Sequence, residues 1–379
     1  MVRYIDKQSL LWYNEGEKNK NAGRRKEKRM NRRDLALKQF AQGTVIPATP
    51  LVLDANRKFD PAGQKLLNGY YLEAGAGGIA TAVHSTQFEI RDPKFGLFET
   101  VIGTVAESID EYEARKGRTV IRVAGVCGRT EQAVREAELA KRYGYDAVLL
   151  SPGGLNDESE DYLVERTRAV AQVMPVIGFY LQTAVGGRRL SYDYWLQVCN
   201  TPGVIGVKVA AFNRYATIDV MRAAAFSDRA DEIAIYTGND DNIVADLTSV
   251  FTFRGEDGKE RTRRFVGGLL GHWSVWTHSV VELFGKIKEN PNDPVWRTLA
   301  AQVTDANGAI FDVANNFTGC ISGIHEILHR QGLMPYIHCL CDHEHLSEGQ
   351  TEEIDRVCRM YPHLTDDEFV AEYLRTHRS

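Results

Sequence analysis

Between residues 44 and 288 the chain repeats one pattern: a short β-branched run, then a segment of helical length and period. The runs are Thr44–Thr49, Gly78–His84, Thr119–Val126, Asp146–Ser151, Val176–Leu181, Val204–Ala210, Glu232–Thr237 and Phe265–Gly271. Each is short and almost continuously apolar, as expected of parallel strands covered on both faces. Each is followed by a segment that can cross back over a sheet, the first opened by Asp60 as a cap and Pro61 in the first turn. Eight β-then-α units in about 250 residues is the count and length of a (β/α)8 barrel, a TIM barrel. The rival is an open doubly wound sheet, which would carry a glycine-rich phosphate turn after its first strand. Pro47-Ala-Thr-Pro50 stands there instead. A polar interruption, Arg254–Arg264, carries the turn signal Asp257-Gly258 and reads as an inserted loop or hairpin.

The pattern divides the chain into three parts. Residues 1–40 form a basic N-terminal extension with the cluster Arg24–Arg29, expected to be partly disordered. Residues 41–293 form the barrel. Residues 294–379 contain no convincing strand and read as a C-terminal helical extension.

In such a barrel the reacting groups stand at the C-terminal ends of the strands. One strand carries a lysine there. Lys208 lies among Val204, Ile205, Val207 and Val209, where desolvation should lower its pKa and leave a neutral amine. A neutral buried amine is the nucleophile that forms imines with carbonyl substrates. The other strand ends add His84, Ser85, Thr86, Ser151, Tyr180, Asn239, Asp240, Asp241 and His272. Hydroxyls beside one amine suit imine chemistry: a phenol to move protons, and O–H and N–H donors for a substrate carboxylate.

Composition narrows the partners. A formal net charge of −5 over 379 residues gives no reason to expect nucleic acid as a partner. No apolar run approaches the ~18 residues of a membrane span. Six cysteines scattered along a long chain (127, 199, 320, 339, 341 and 358) do not read as a disulfide framework and suit the reducing cytoplasm. In the tail, Cys339, Cys341, His343 and His345 are zinc-ligand types. Their spacing lacks the usual Cys-x2-Cys and His-x3-His intervals, so a loop between helices is expected in place of a metal site.

Ala48-Thr-Pro50, the pair Ser85-Thr86, Tyr180 and Gly206-Val-Lys208 resemble, in order and spacing, the dihydrodipicolinate synthase/N-acetylneuraminate lyase superfamily. The resemblance covers about residues 42–290. It implies that Lys208 forms an imine with pyruvate or another 2-oxo acid, with no metal or organic cofactor. It also implies that Tyr180 relays protons, and that Ser85 and Thr86 hold the carboxylate, helped by backbone N–H groups. From their places at the strand ends, Thr49, His84, Asn239, Asp240 and His272 are read as further substrate contacts. A homo-oligomer, dimer or tetramer, goes with it. Three departures make this a divergent member. The family's Gly-Thr-Thr-Gly-Glu loop is here His84-Ser-Thr-Gln-Phe-Glu89. Its tyrosine pair after strand four is replaced by Ser151-Pro-Gly-Gly154, and its substrate-binding arginine falls near Val185, with Arg188 and Arg189 downstream. The expected function is therefore a Schiff-base-forming lyase or aldolase acting on a 2-oxo acid or keto-sugar acid. A keto-deoxy sugar acid dehydratase using the same imine is the alternative. A barrel that only binds a ligand or partner is the alternative of another class, and the pairing of Tyr180 with Lys208 argues against it.

Overall fold

The computed structural model describes residues 30–378, so the basic cluster at 24–29 lies outside the described residues. From Arg32 the order is α1 (Arg32–Gln42), β1 (Val45–Pro47), α2 (Pro61–Glu73), β2 (Gly78–Thr81), α3 (Phe98–Lys116), β3 (Ile121–Val126) and α4 (Thr130–Arg142). Next come β4 (Ala147–Leu150), α5 (Glu160–Ala171), β5 (Val176–Leu181), α6 (Tyr192–Asn200), β6 (Val204–Ala210), α7 (Arg214–Phe226), β7 (Ala234–Thr237) and α8 (Ile243–Thr248). The last are β8 (Phe251–Arg254), β9 (Glu260–Arg263), β10 (Gly267–Leu270) and the helices α9 (Thr277–Glu289), α10 (Val295–Ile310), α11 (Cys320–Arg330), α12 (Gln350–Met360) and α13 (Asp367–His377).

Eight strands pair in parallel in the order β1-β10-β7-β6-β5-β4-β3-β2. The ring closes where Ala48 bridges Ala80, with Gly77 N–H donating to Val45 O and Thr49 N–H to Ala80 O. This is the (β/α)8 barrel with C-terminal helices that the period predicts. The polar interruption is the antiparallel hairpin β8–β9 outside the ring, turned by Gly255–Gly258.

Strand parity decides what the barrel can do, because successive side chains face opposite ways. Inside the ring stand Ile46, Ala80, Ile121, Val123, Leu149, Ile177, Phe179, Ala210, Tyr236 and Leu269. The opposite set, including Val148, Val176, Tyr180, Val207 and Val209, packs against the helices. A bulge between β5 and β6 sets the register across the ring: Val176 opposes Val204, but Ile177 opposes Gly206, and Phe179 then opposes Lys208.

The N-terminal end of the barrel is plugged by α1. Phe40 stacks on Tyr236 with centroids 4.4 Å apart, and the Tyr236 hydroxyl donates to Phe40 O. Part of the segment read from sequence as an extension, residues 32–40, is thus a helix seated on the barrel. At the other side of the chain, α13 is tied down by buried Asp366, whose Oδ2 accepts from the Tyr70 hydroxyl and from His278 N–H. Among the described residues no helix is long and apolar enough to cross a membrane.

Candidate active site

Lys208 stands inside the ring at the C-terminal end of β6, 7% exposed. Its side chain needs room beside β7, and a glycine supplies it: a Cβ at Gly238 would stand 2.5 Å from Lys208 Cε. Burial pushes the Lys208 pKa down to about 8, against a smaller upward pull from Asp240. Asp240 is 6% exposed and is moved the opposite way, up to about 7, again chiefly by burial. His272 N–H donates to Asp240 Oδ1 at 2.9 Å and fixes the carboxylate. Both groups line one cavity of about 50 Å³ at the barrel mouth, together with His84, Ser85, Phe179 and Gln182. That is room for a few waters or one small acid.

The cavity has a roof that local sequence could not reveal. Phe311 closes α10, and Cys320 and Ile324 lie on α11; all three line it from the C-terminal helices. Phe212, directly beyond β6, stacks edge-on against Phe317, and both hold left-handed backbone conformations (φ 50° and 67°). Phe212 also borders a second, more polar cavity with Tyr180, Arg189, Asn213 and Asp219.

The residues expected at the site fall into four groups. Lys208, Asp240, His84 and Ser85 line the same cavity. His84 is neutral there, its pKa pushed down to about 4 by burial and by Lys208. Ser85 donates its hydroxyl to Ala48 O at 2.7 Å. Thr86, Thr49 and Asn239 are buried beside the cavity and spent on structure. Thr86 donates to Thr49 O, and Thr49 joins Gln64 and Asn68 behind β1. Asn239 accepts from Phe212 N–H and donates to Thr217 and Asp246. His272 contributes its backbone N–H; its ring turns toward Asn307 and Trp276 and lines a separate apolar cavity.

Tyr180 is a correction. It faces outward from β5, stacked on Trp195 at 5.4 Å, with its hydroxyl accepting from Leu190 N–H. The ring residue opposite Lys208 is its neighbour Phe179, whose ring centroid lies 4.5 Å from Lys208 Nζ. The phenol expected to relay protons is therefore on the wrong face of the strand, and the argument built on its pairing with Lys208 falls with it. Arg188 is likewise engaged elsewhere, donating to the carbonyls of Leu155 and Glu158. In the tail, Cys339 Sγ lies 3.8 Å from His325 Nδ1. Among the described residues no group of three or more His, Cys, Asp or Glu could hold a metal ion.

Fold and site together define a (β/α)8 barrel with one desolvated lysine inside its mouth. No family model matches the chain. It is 25% identical over 214 residues to 4-hydroxy-tetrahydrodipicolinate synthase of Cyanothece sp., covering 55% of this chain and 67% of that protein. The corresponding enzyme of Methanoculleus marisnigri is 24% identical over 198 residues, covering 52% and 64%. The aligned region thus spans about two thirds of these relatives' length. Among solved structures, dihydrodipicolinate synthase of Oceanobacillus iheyensis superposes with a TM-score of 0.65 at 17% identity, covering 88% of this chain and 99% of that one. The Acinetobacter baumannii synthase, complexed with pyruvate, superposes with a TM-score of 0.67 at 17% identity, covering 84% and 98%. These relatives and structural neighbours are all dihydrodipicolinate synthases, and the chain is consistent with a divergent member of the dihydrodipicolinate synthase/N-acetylneuraminate lyase superfamily.

Proposed function

We propose that this protein is a Schiff-base-forming lyase of the aldolase type that acts on pyruvate or another short 2-oxo acid through Lys208. The observation that carries the reading is the amine itself: one lysine, buried inside the barrel mouth, with its pKa depressed to about 8 beside a cavity sized for a small acid. At neutral pH a usable fraction of that amine is neutral, where an exposed lysine is almost wholly protonated. Its lone pair attacks the 2-oxo carbon to give a carbinolamine, and loss of water gives the imine. The protonated imine is an electron sink, so a bond at C3 can break or form through the enamine.

The substrate carboxylate is assigned to the turn after β2. Ser85 can rotate its hydroxyl from Ala48 O to the ligand, and neutral His84 can donate one hydrogen bond. Thr86, Thr49 and Asn239 support that turn and the β6–α7 loop from behind. The neighbouring polar cavity with Arg189, Asn213 and Asp219 favours a second reading, a keto-deoxy sugar acid dehydratase whose substrate extends past Phe212. A homo-oligomeric enzyme of the cytoplasm completes the reading, its six free cysteines suiting a reducing compartment.

Incubation with pyruvate and borohydride, followed by intact mass and peptide mapping, tests the reading. The expected result is a reduced adduct on Lys208 that is absent from Lys208→Ala. No adduct with any of a panel of 2-oxo acids overturns it.

A further inference from the structure

Imine chemistry needs a group that gives and takes protons within reach of the amine. Opposite Lys208 that place is held by the Phe179 ring, which has no exchangeable proton. Tyr180, the nearest phenol in sequence, projects away from the ring. We propose that Asp240 is the proton carrier of this cavity, serving both the imine and the enamine steps on Lys208; the inference rests on the lyase reading above.

Geometry selects Asp240. It follows β7, the strand paired with β6, in which Tyr236 opposes Lys208. It lines the cavity from the wall beside the amine. The His272 N–H holds one carboxylate oxygen, and no side chain hydrogen-bonds the other among the described residues, which leaves it open to the ligand. The charged or titratable groups acting on this corner are Lys208, Asp241, Cys320 and, across the cavity, His84. Cys320 is held well above its ordinary range by burial and the nearby carboxylates, so it is a thiol that does not ionise. His84, pushed down to about 4, is too weak a base. Asp240, raised above the ordinary carboxylate range by burial, can hold a proton and return it.

The steps balance around this carboxyl group. Neutral Lys208 Nζ attacks C2, and the carbonyl π pair moves onto oxygen. Protonated Asp240 gives its proton to that oxygen, and the resulting carboxylate takes one back from the nitrogen, leaving the neutral carbinolamine and a protonated Asp240. Asp240 then gives that proton to the hydroxyl. The C2–O bond breaks, water leaves, and the nitrogen lone pair forms the C=N bond of the iminium. The carboxylate then takes a proton from C3. The C3–H pair becomes the C2=C3 bond, and the C=N π pair returns to nitrogen as the enamine.

Exchange of the pyruvate methyl hydrogens for deuterium in heavy water reads the last step, and borohydride trapping reads the imine. In the full-length Asp240→Asn protein the Lys208 adduct is expected to persist while exchange falls at least about 100-fold. The pH limb near neutrality should vanish with it. Asp240→Glu, which keeps the carboxyl group, should recover exchange above the Asn variant, and Tyr180→Phe should leave exchange unchanged. Exchange in Asp240→Asn within about threefold of wild type, or a Glu variant no better than Asn, overturns the proposal while leaving the lysine reading intact. A wild-type protein that forms no adduct overturns both.

Discussion

The two ends of this barrel bury charge in opposite ways. At the N-terminal end Arg122, 4% exposed, donates to Asp110 at 2.6 Å and to Glu113 at 2.7 Å, while Arg32 pairs with Glu113 and Asp146. Asp146 also accepts from Arg122 N–H. Glu113 is held below the ordinary carboxylate range by Arg32, Val120 N–H and Arg122, which outweigh its own burial. Each of these charges has a partner at hydrogen-bond distance, although burial still raises the Asp146 carboxyl above its ordinary value. At the mouth, Lys208 and Asp240 share a cavity, and burial outweighs their mutual attraction, so each is pushed toward its neutral form. Paired charge makes a base plate; under-compensated charge makes a reagent.

Four experiments sharpen or break that contrast. The largest effect is expected for Lys208→Ala, which should lower any imine-dependent turnover by about 10³-fold or more, measured as kcat/KM on the preferred 2-oxo acid. An activity within tenfold of wild type would remove the amine from the chemistry. Next come the stabilities, which should diverge. Arg122→Met takes one of two guanidinium partners from Glu113 and the partner of exposed Asp110, and urea unfolding should show a loss of about 1.5–3 kcal/mol. Lys208→Met removes a charge the fold does not compensate, and its midpoint should stay level or rise. Equal losses from the two changes would erase the distinction.

A smaller effect is expected at Gly238. The Ala variant forces the Lys208 stem aside and should cost about 1–3 kcal/mol, with slower adduct formation, since overpacking displaces whatever it touches. The smallest is a pH profile of stability. Asp240 binds its proton more tightly when folded, so stability should fall as pH rises from about 4 towards 7. Lys208 binds its proton less tightly when folded, so stability should rise as pH climbs from about 8 towards 10.5. The two slopes leave a shallow minimum between, which the Lys208→Met/Asp240→Asn double variant should flatten.

The fold was legible because it is a period: eight apolar runs at regular spacing admit few arrangements. Val176–Leu181 and Val204–Ala210 fall where the sequence places them. Lys208 was legible too, as a charge in an apolar strand. Its companions were not, because β5 is apolar on both faces. Nothing in Gly178-Phe-Tyr-Leu181 marks which alternate residue looks inward, and a shift of one residue exchanges Tyr180 for Phe179. The same ambiguity among Asn239, Asp240 and Asp241 was settled by the backbone, which turns Asp240 toward the cavity and Asn239 into the wall. Phe311, Cys320 and Ile324 carry no local signal, since they reach the mouth only when the C-terminal helices fold over it.

The seam of the ring has an evolutionary corollary. The Ala48 carbonyl oxygen accepts from the Ser85 hydroxyl at 2.7 Å and from the Ser274 hydroxyl at 2.6 Å. Two side chains from opposite sides of the seam therefore clasp one backbone atom where sheet pairing runs out. A lineage that altered Ser85 to admit a new ligand would also slacken the clasp. Specificity at this mouth and closure of the cylinder cannot drift independently, and Ser274, on the far side of the shared oxygen, is where a compensating change would have to appear.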